Sequence, residues 1–232
     1  MPSPETEFRV AASVRHCCAL LRELLERPDT SAGLLVGCGR GDEAAFVRHT
    51  LQSPRIVGTD LHSDFSARAR GEADLVVADA ENLPFPSGTF DFVAAIHSLE
   101  HMGDPHMALA EVSRVLRVGG WFYVGVPNKK RLLGYLGSYD ATLWQKVYWN
   151  LLDYGYRLRG RFENRLGAHA GFEGQELMEL LGAHFADNRL LTEDYLRFKY
   201  GARLPKPILD TLLSLRFINY TAPAHYALCQ KR

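Results

Sequence analysis

A glycine-rich turn is the part of the sequence best suited to bind a ligand. The segment LLVGCGRGDE, residues 34–43, ends an apolar run with Gly37, Gly39 and Gly41 and continues into charged residues. Glycines at the end of a strand let the backbone approach another molecule closely, and the following helix N-terminus offers free N–H groups. The segment therefore predicts either a site for a small polar molecule or a turn that only packs a strand against a helix.

The glycine spacing disfavours two common phosphate-containing ligands. A dinucleotide fingerprint, G-x-G-x-x-G, would need a glycine at position 42, which is Asp42. The segment also does not contain the G-x-x-x-x-G-K-[ST] pattern of a phosphate loop. Asp42 and Glu43 would in addition repel a pyrophosphate at the helix start.

Two carboxylates follow the next apolar runs. Asp60 closes PRIVGTD and can accept both hydroxyls of an unphosphorylated ribose. Asp79 closes the core of ADLVVADA and can meet an adenine ring or its amino group. Together with the glycines, these acids favour a nucleoside ligand that lacks a pyrophosphate.

The candidate for proton transfer follows the fourth apolar run, TFDFVAAI. His97 has a near-neutral reference pKa and can act as a general base, or it can simply pack against a bound ligand. His97, Glu100 and His101 also match the zinc pattern H-x-x-E-H. Gly103 and Pro105 follow at once, which leaves too little room for the long helix of that pattern, and we expect no metal.

These candidates require a scaffold that gathers strand ends at one edge. Short apolar runs at AGLLVG, PRIVGTD, ADLVVADA, TFDFVAAI and WFYVGVP alternate with helical segments, as in a parallel sheet covered on both faces. Asp104 as N-cap and Pro105 at the first helical position predict a helix before the fifth run, which Gly119 is expected to end. Ligands of such sheets bind at the carboxyl ends of the strands.

The regular alternation stops after residue 128. Residues 129–170 contain three acids and eight aromatic residues, against eight Lys or Arg at positions 129, 130, 131, 146, 157, 159, 161 and 165. We interpret the segment as an inserted, largely helical cap. Beyond it, GFEGQELMELLGAHF predicts a helix, and 188–200 and 224–230 are strand candidates that flank a helix at about 207–218.

Composition sets further limits. The 232 residues suit a single domain, 1–232, and 27 basic residues balance 27 acidic ones, so the net charge favours neither nucleic acid nor an anionic membrane as a partner. No apolar run reaches the roughly 20 residues of a membrane span, and the polar N-terminus does not resemble a signal peptide. The spacing of the four cysteines fits neither disulfides nor zinc, so we expect a cytoplasmic protein.

Four segments closely resemble the class I S-adenosylmethionine-dependent methyltransferases, in particular the group often labelled methyltransferase type 11. They are LLVGCGRG, VGTD, ADAENLPFPSGTFDFVAAIHSLEHM and ALAEVSRVLRVGGWFYVGVPN. The resemblance implies a Rossmann-like, seven-stranded, mostly parallel sheet whose last strand is antiparallel. It also implies S-adenosylmethionine in the cleft, with the methionine part along Gly37 to Gly41, the ribose on Asp60 and the adenine near Asp79 and Ala80. The expected binding residues are Gly37, Cys38, Gly39, Gly41, Asp60, Leu61, Asp79, Ala80, His97 and Ser98.

The chain departs from that family at two positions. Leu35 stands where an acid is usual, two residues before the first glycine, which puts one contact to the methionyl amino group in doubt. Val118 replaces the usual proline before the Gly-Gly pair. The Glu100–His101 pair resembles a common pair of the family, to which we assign a structural role.

The expected function is in-line methyl transfer to a small-molecule acceptor such as a sugar, a lipid or a secondary metabolite. There are two alternatives. One is a non-catalytic binding protein, which Leu35 supports, and the other is a dinucleotide oxidoreductase, which Asp42 disfavours.

The cap is expected either to wall the acceptor site or to form only a packed lid, and peripheral membrane contact is the less favoured role for it. The candidate wall residues are Tyr135, Tyr139, Trp144, Tyr148, Trp149, Tyr154 and Tyr156.

Overall fold

A computed structural model describes residues 10–135, 141–166, 169–214 and 216–232. Within these ranges seven strands form one sheet in the order β3-β2-β1-β4-β5-β7-β6. β7 is antiparallel to both of its neighbours, and the other pairs are parallel. The predicted mostly parallel sheet with an antiparallel last strand is confirmed. The strands are β1 Gly33–Val36, β2 Ile56–Asp60, β3 Asp74–Val77, β4 Phe90–Ile96, β5 Leu116–Pro127, β6 Asp187–Leu190 and β7 Ala224–Gln230.

Helices cover both faces of this sheet because the buried strands are apolar on both sides. In β1, Leu35 packs into one hydrophobic layer, while Leu34 and Val36 pack into the other. The first strand therefore reads as a continuous apolar run. The helices are α1 Ala12–Leu24, α2 Asp42–Leu51, α3 Ala67–Glu72, α4 Pro105–Val115, α5 Leu143–Leu158, α6 Gly174–Gly182, α7 Thr192–Tyr200, α8 Lys206–Leu213 and α9 Ile218–Thr221.

The predicted start of α4 is confirmed, but its predicted end is wrong. Asp104 Oδ1 accepts hydrogen bonds from the backbone N–H groups of His106 and Met107, at 2.9 and 3.3 Å. The helix ends at Val115 and β5 begins directly after it. Gly119 instead has a φ of +79° inside β5, where the register with β4 shifts between Phe90 and Phe92. Its left-handed backbone accommodates this bulge rather than a helix stop.

The strand predicted at 188–200 is also wrong over most of its length. β6 ends at Leu190, and α7 begins at Thr192 with Glu193 and Asp194 in its first turn. Acids there interact favourably with the helix dipole. Thr192, Tyr195 and Leu196 are buried at helical spacing, so packing selects the helix although the segment is aromatic-rich. The helix expected at 207–218 is divided into α8 and α9.

The described part of the cap is organised around α5. This helix starts with a capping box, in which Thr142 and Gln145 satisfy each other's backbone N–H groups. Residues 136–140, which include Tyr139, and residues 167–168 lie outside the described residues. The boundaries 129–170 for a cap stay a prediction.

Candidate functional site

All three glycines of the turn between β1 and α2 have left-handed backbones. Their φ angles are +70° at Gly37, +54° at Gly39 and +87° at Gly41. A Cβ atom at Gly37 would lie 2.3 Å from Ser98 Cβ, and one at Gly41 would lie 2.8 Å from a Leu75 methyl carbon. A Cβ at Gly39 would meet no atom within 4 Å. Gly37 and Gly41 therefore permit close packing, whereas Gly39 borders open space that a ligand can use.

The Asp60 carboxylate joins the end of β2 to this turn. Its Oδ2 atom accepts a hydrogen bond from the Gly39 N–H at 2.8 Å, and Oδ1 accepts one from the His62 N–H at 3.2 Å. A carboxylate has about four acceptor positions, so positions remain for two further donors. Leu61, the next residue, exposes its side chain beside them.

The end of β3 lies next to Asp60. The backbone N–H of Ala78 donates to the carbonyl oxygen of Asp60 at 2.9 Å, and Asp60 is opposite Val77 in the sheet register. Asp79 is exposed, and its Oδ1 accepts the Glu81 N–H at 2.9 Å. Ala80 is half-buried against the hydrophobic layer. The predicted contacts to the ribose and adenine thus come from one edge of the sheet.

The end of β4 connects the turn to a second region. Ser98 is buried, and its hydroxyl donates to the Val36 carbonyl at 2.9 Å, so it fixes the turn rather than facing open space. Cys38 is buried as well, and burial raises the pKa of its thiol to about 12. His97 has a φ of +55°, unusual for a residue with a side chain, and its N–H donates to the Gly125 carbonyl at 2.7 Å.

A cavity of about 700 Å³ lies beyond the carboxyl ends of β4 and β5. Its walls come from distant parts of the chain: Ala11 near α1, Glu43 at the start of α2, His97 after β4, and Tyr226 in β7. Three cap aromatics also line it, namely Tyr135, Trp149 and Tyr156.

Of the seven cap aromatics named as candidate wall residues, the six described ones divide between this cavity and the outer surface of the protein. Trp144, Tyr148 and Tyr154 are exposed on the outer side of α5 and do not line the cavity. A helix has two sides, and aromatic composition alone does not tell which one faces the site.

His97 lies in the cavity wall as a neutral imidazole. Its side chain is 41% exposed, but that surface borders the cavity, where protein surrounds it. Burial, with smaller contributions from the charges of Lys199 and Arg131, lowers the pKa of His97 to about 4. Its Nε2 lies 3.2 Å from the Tyr226 hydroxyl. The ring is therefore unprotonated at neutral pH and able to accept a proton.

Glu100 is a buried acid in the same wall. Its side chain is 2% exposed, and Oε2 has no hydrogen-bond partner among the described residues. Oε1 lies 3.9 Å from both His97 Nδ1 and His101 Nε2, too far for hydrogen bonds. Burial raises the pKa of Glu100 to about 7, although its backbone hydrogen bond and Arg131 oppose that change.

Glu100→Gln should stabilise the protein at pH 8 and have little such effect at pH 4. The folded-state pKa of about 7 lies above the unfolded value of 4.5, so the stability that protonated Glu100 provides is lost as pH rises through 7. Glutamine resembles the protonated acid. We expect a gain on the order of 2 kcal/mol at pH 8 from urea unfolding. Glu26→Gln, an exposed site, is the control, and equal effects of Glu100→Gln at both pH values would contradict this assignment.

Glu43 is a second acid of the cavity wall that sequence reasoning did not select. Burial, with a smaller contribution from Asp42, raises its pKa to about 7. Acids in a first helical turn usually face solvent, so its spacing alone gave no reason to choose it. Leu35, where the family usually has an acid, is buried in the hydrophobic layer. Glu43 thus places a carboxylate near the turn, whereas Leu35 places none there.

Arg131 is another functional candidate that the sequence did not distinguish. Its Nη1 donates to the carbonyls of Asn128 and Ala170, and its Nη2 donates to the His169 carbonyl and, at 2.6 Å, to Asp153 Oδ2. The Tyr135 hydroxyl donates to the other Asp153 oxygen at 3.1 Å. This buried cluster, which we call the Arg131 clamp, holds α5 and the 169–170 segment against the end of β5. In the sequence, Arg131 is only one of eight basic residues in the segment.

Within the described ranges, no group of three or more His, Cys, Asp or Glu side chains is arranged to hold a metal ion. The cluster of His97, Glu100 and His101 is therefore not such a group.

Comparison with known proteins is consistent with this geometry. Residues 34–124 match a family model described as a methyltransferase domain. A fatty-acid O-methyltransferase of Mycolicibacterium smegmatis is 40% identical over 94 residues, which are 38% of this chain and 34% of that protein. An O-methyltransferase of Aspergillus sclerotiorum is 35% identical over 130 residues, 51% of this chain and 47% of that protein. The chain spans between about a third and just over half of the curated relatives that it matches.

Solved structures show the same fold at lower identity. A methyltransferase from Mesorhizobium loti superposes with a TM-score of 0.59 at 16% identity, covering 92% of this chain and 96% of that one. A methyltransferase from Thermotoga maritima gives 0.57 at 18% identity, covering 94% and 89%. The domain match over 34–124 and the strand order β3-β2-β1-β4-β5-β7-β6 are consistent with the class I S-adenosylmethionine-dependent methyltransferases that the sequence resembles.

Proposed function

We propose that the chain transfers the methyl group of S-adenosylmethionine to a small-molecule acceptor bound in the cavity beside His97. The observation that carries this proposal is the position of the cavity. It lies where β4 ends, with Glu43 from the glycine side and His97 in the same wall. Ligand sites of this sheet topology lie in that crevice.

The residues around the turn fit the donor. Asp60 keeps acceptor positions for ribose hydroxyls, Gly39 borders open space, and exposed Leu61 offers an apolar surface for a base. Asp79 would meet the adenine amino group. Glu43 suits a cationic ligand, since a nearby positive charge would stabilise a carboxylate that burial keeps partly protonated.

S-adenosylmethionine supplies a methyl group that its sulfonium already activates. The chain then has to align the acceptor and exclude water, and the aromatic walls at Tyr135, Trp149 and Tyr156 suit both tasks. His97 would accept the proton that an acceptor hydroxyl or amine loses.

The lining favours an apolar or aromatic acceptor with an oxygen nucleophile. Three aromatic side chains and Leu152 line the cap side of the cavity beside the Arg131 clamp, and both curated relatives named above are O-methyltransferases. Lys199, which also lines the cavity, contacts Tyr195 and Tyr200 through cation–π geometry and could orient an anionic group of the acceptor.

Calorimetric titration tests the proposal directly. S-adenosylmethionine and S-adenosylhomocysteine should bind with one site per chain, while NAD should not bind. Absence of heat with both sulfur compounds would overturn the proposal. Binding without turnover over a panel of hydroxylated apolar acceptors would favour the second candidate, a non-catalytic binding protein, for which Leu35 is the supporting feature.

His97→Asn should lower turnover about 100-fold, a typical contribution of a positioned base, and leave S-adenosylhomocysteine affinity nearly unchanged. Asparagine is chosen because it tolerates the left-handed backbone at this position. Since the pKa of His97 is about 4, this residue stays unprotonated between pH 8 and pH 6. Its titration should therefore cause no decrease of the wild-type kcat/KM over that range. Steady-state kinetics with His106→Asn, an exposed histidine outside the cavity, as control would check both points. Unchanged turnover in His97→Asn would remove the base assignment.

A further inference from the structure

Helix α5 presents its polar side to the protein. The one buried side chain in the described helix is Asp153, which belongs to the Arg131 clamp. Asn150 exchanges hydrogen bonds with the backbone of Gly134, at 2.7 and 3.2 Å. Arg157 donates to two carbonyl oxygens of the loop after β5, each at 2.9 Å. These three polar side chains therefore lie on the side of the helix that faces the protein.

The opposite side is apolar and exposed. Trp144 and Leu158 leave 81% and 89% of their surface uncovered. At 100° per residue, the exposed apolar residues occupy one half of the helix circumference. They are Leu143, Trp144, Val147, Tyr148, Leu151, Tyr154 and Leu158, while the part-exposed Leu152 lies at the border with the cavity side.

The loop before the helix extends this surface. The Tyr154 hydroxyl donates to the Leu132 carbonyl at 2.6 Å, which places Leu132 and Leu133 beside the helix. Both leucine side chains are more than half exposed. We call the outer side of α5 together with these two leucines the α5 face. Along 16 residues it is roughly 24 Å long. A continuous apolar surface of this length marks an interaction site in most proteins.

The exposed charges that directly follow α5 in the chain are positive. Arg159 and Arg161 are exposed directly after the helix. Among the described acids of residues 129–170, Asp153 is buried against Arg131 and Glu163 pairs with Arg165. An anionic surface therefore complements the apolar stripe and its basic end.

A second copy of the chain fits this face less well. A symmetric dimer through α5 would cover the leucines, but it would offer Arg159 and Arg161 no acid from the described part of the same face. Trp144, Tyr148 and Tyr154 are also the kinds of side chain that favour the headgroup level of a bilayer, since their rings are partly apolar and partly polar.

We propose that the α5 face docks flat onto an anionic lipid surface. Within the described ranges no helix is long and apolar enough to cross a membrane. A helix with one apolar side and a basic end instead lies in the plane of the interface. Its inner side carries Trp149, Leu152 and Tyr156 of the cavity wall, so the docked surface and the cavity are separated by the thickness of one helix.

Vesicle flotation tests this inference without any activity measurement. The wild-type protein should float with vesicles of phosphatidylcholine and phosphatidylglycerol and remain largely unbound with phosphatidylcholine alone. Leu151→Gln should lower the partition coefficient about 10-fold, as expected for one lost buried leucine. Arg159→Gln with Arg161→Gln should lower it on anionic vesicles by roughly 30-fold at low salt.

The matched control is Val118→Gln, which changes a 78% exposed apolar residue near the start of β5, away from α5. It should float like the wild type. Sedimentation equilibrium on the same samples distinguishes a second copy from a membrane. Failure of the wild type to float with anionic vesicles overturns the inference. It is also overturned if the wild type is a dimer, Leu151→Gln dissociates that dimer, and the variant still binds vesicles like the wild type. S-adenosylhomocysteine binding should be the same in all variants, which reports correct folding and separates this inference from the proposed activity.

Discussion

Asp60→Ala should weaken S-adenosylhomocysteine binding by at least about 100-fold. The carboxylate has acceptor positions left for two ribose hydroxyls, and a hydrogen bond to a charged group contributes about 1.5–3 kcal/mol. Loss of two such bonds therefore corresponds to roughly 3 kcal/mol or more, and about 1.4 kcal/mol is tenfold in Kd. The substitution also removes the acceptor of the Gly39 N–H and allows the glycine turn to relax.

Isothermal titration calorimetry measures this effect, and two further variants make it specific. Asp64→Ala removes an exposed carboxylate four residues away and should bind like the wild type. Asp60→Asn retains one acceptor oxygen but loses the charge, so an intermediate affinity is expected. An Asp60→Ala protein that is folded by circular dichroism and binds within about threefold of the wild type would remove Asp60 from the site.

Arg131→Met should lower the free energy of unfolding by about 3–5 kcal/mol. The substitution leaves Asp153 buried with only the Tyr135 hydroxyl as a described partner, and an unpaired buried charge is strongly destabilising. The double variant Arg131→Met with Asp153→Leu should recover much of this loss because no charge is left unpaired. Urea unfolding followed by fluorescence measures both.

The matched control for the Arg131 clamp is an exposed pair in the same segment. Arg165 is 79% exposed and pairs with Glu163, so Arg165→Met should change stability by less than about 1 kcal/mol. Because the clamp fixes α5, Arg131→Met should also raise the acceptor KM while donor affinity at Asp60 is retained. Equal stability losses for Arg131→Met and Arg165→Met would contradict the role of the clamp.

The first half of the fold was predictable because its signals are local. The glycine turn, the cap at Asp104 and the short apolar strands each depend on neighbouring residues, and each has the predicted structure. Residues 192–200 were assigned incorrectly because their aromatic content favours a strand. In the structure, Tyr195 and Leu196 are buried at helical spacing, and this packing stabilises a helix instead.

The cavity could not be predicted in the same way, because its wall joins residues far apart in sequence. Ala11, Glu43 and Tyr226 line one space although nothing in their local sequence connects them. For the segment that contains α5, the sequence predicted only a largely helical cap. It did not show that the polar side of α5 turns inward, since an apolar stripe normally faces the core, whereas here Arg131 and the backbone of the loop after β5 bind the polar side.

The position of β7 in the sheet has a consequence for how the protein is made. β7 is the last of the seven strands along the chain, yet it pairs with β5 on one side and β6 on the other. Until the ribosome has synthesised residues 224–230, the edge of β5 remains open and the cavity lacks Tyr226. A nascent chain can therefore complete its glycine turn early, but it exposes an unpaired strand edge and an incomplete cavity until residues 224–230 have been made. We expect this interval to be when the chain is most vulnerable to aggregation and most dependent on chaperones.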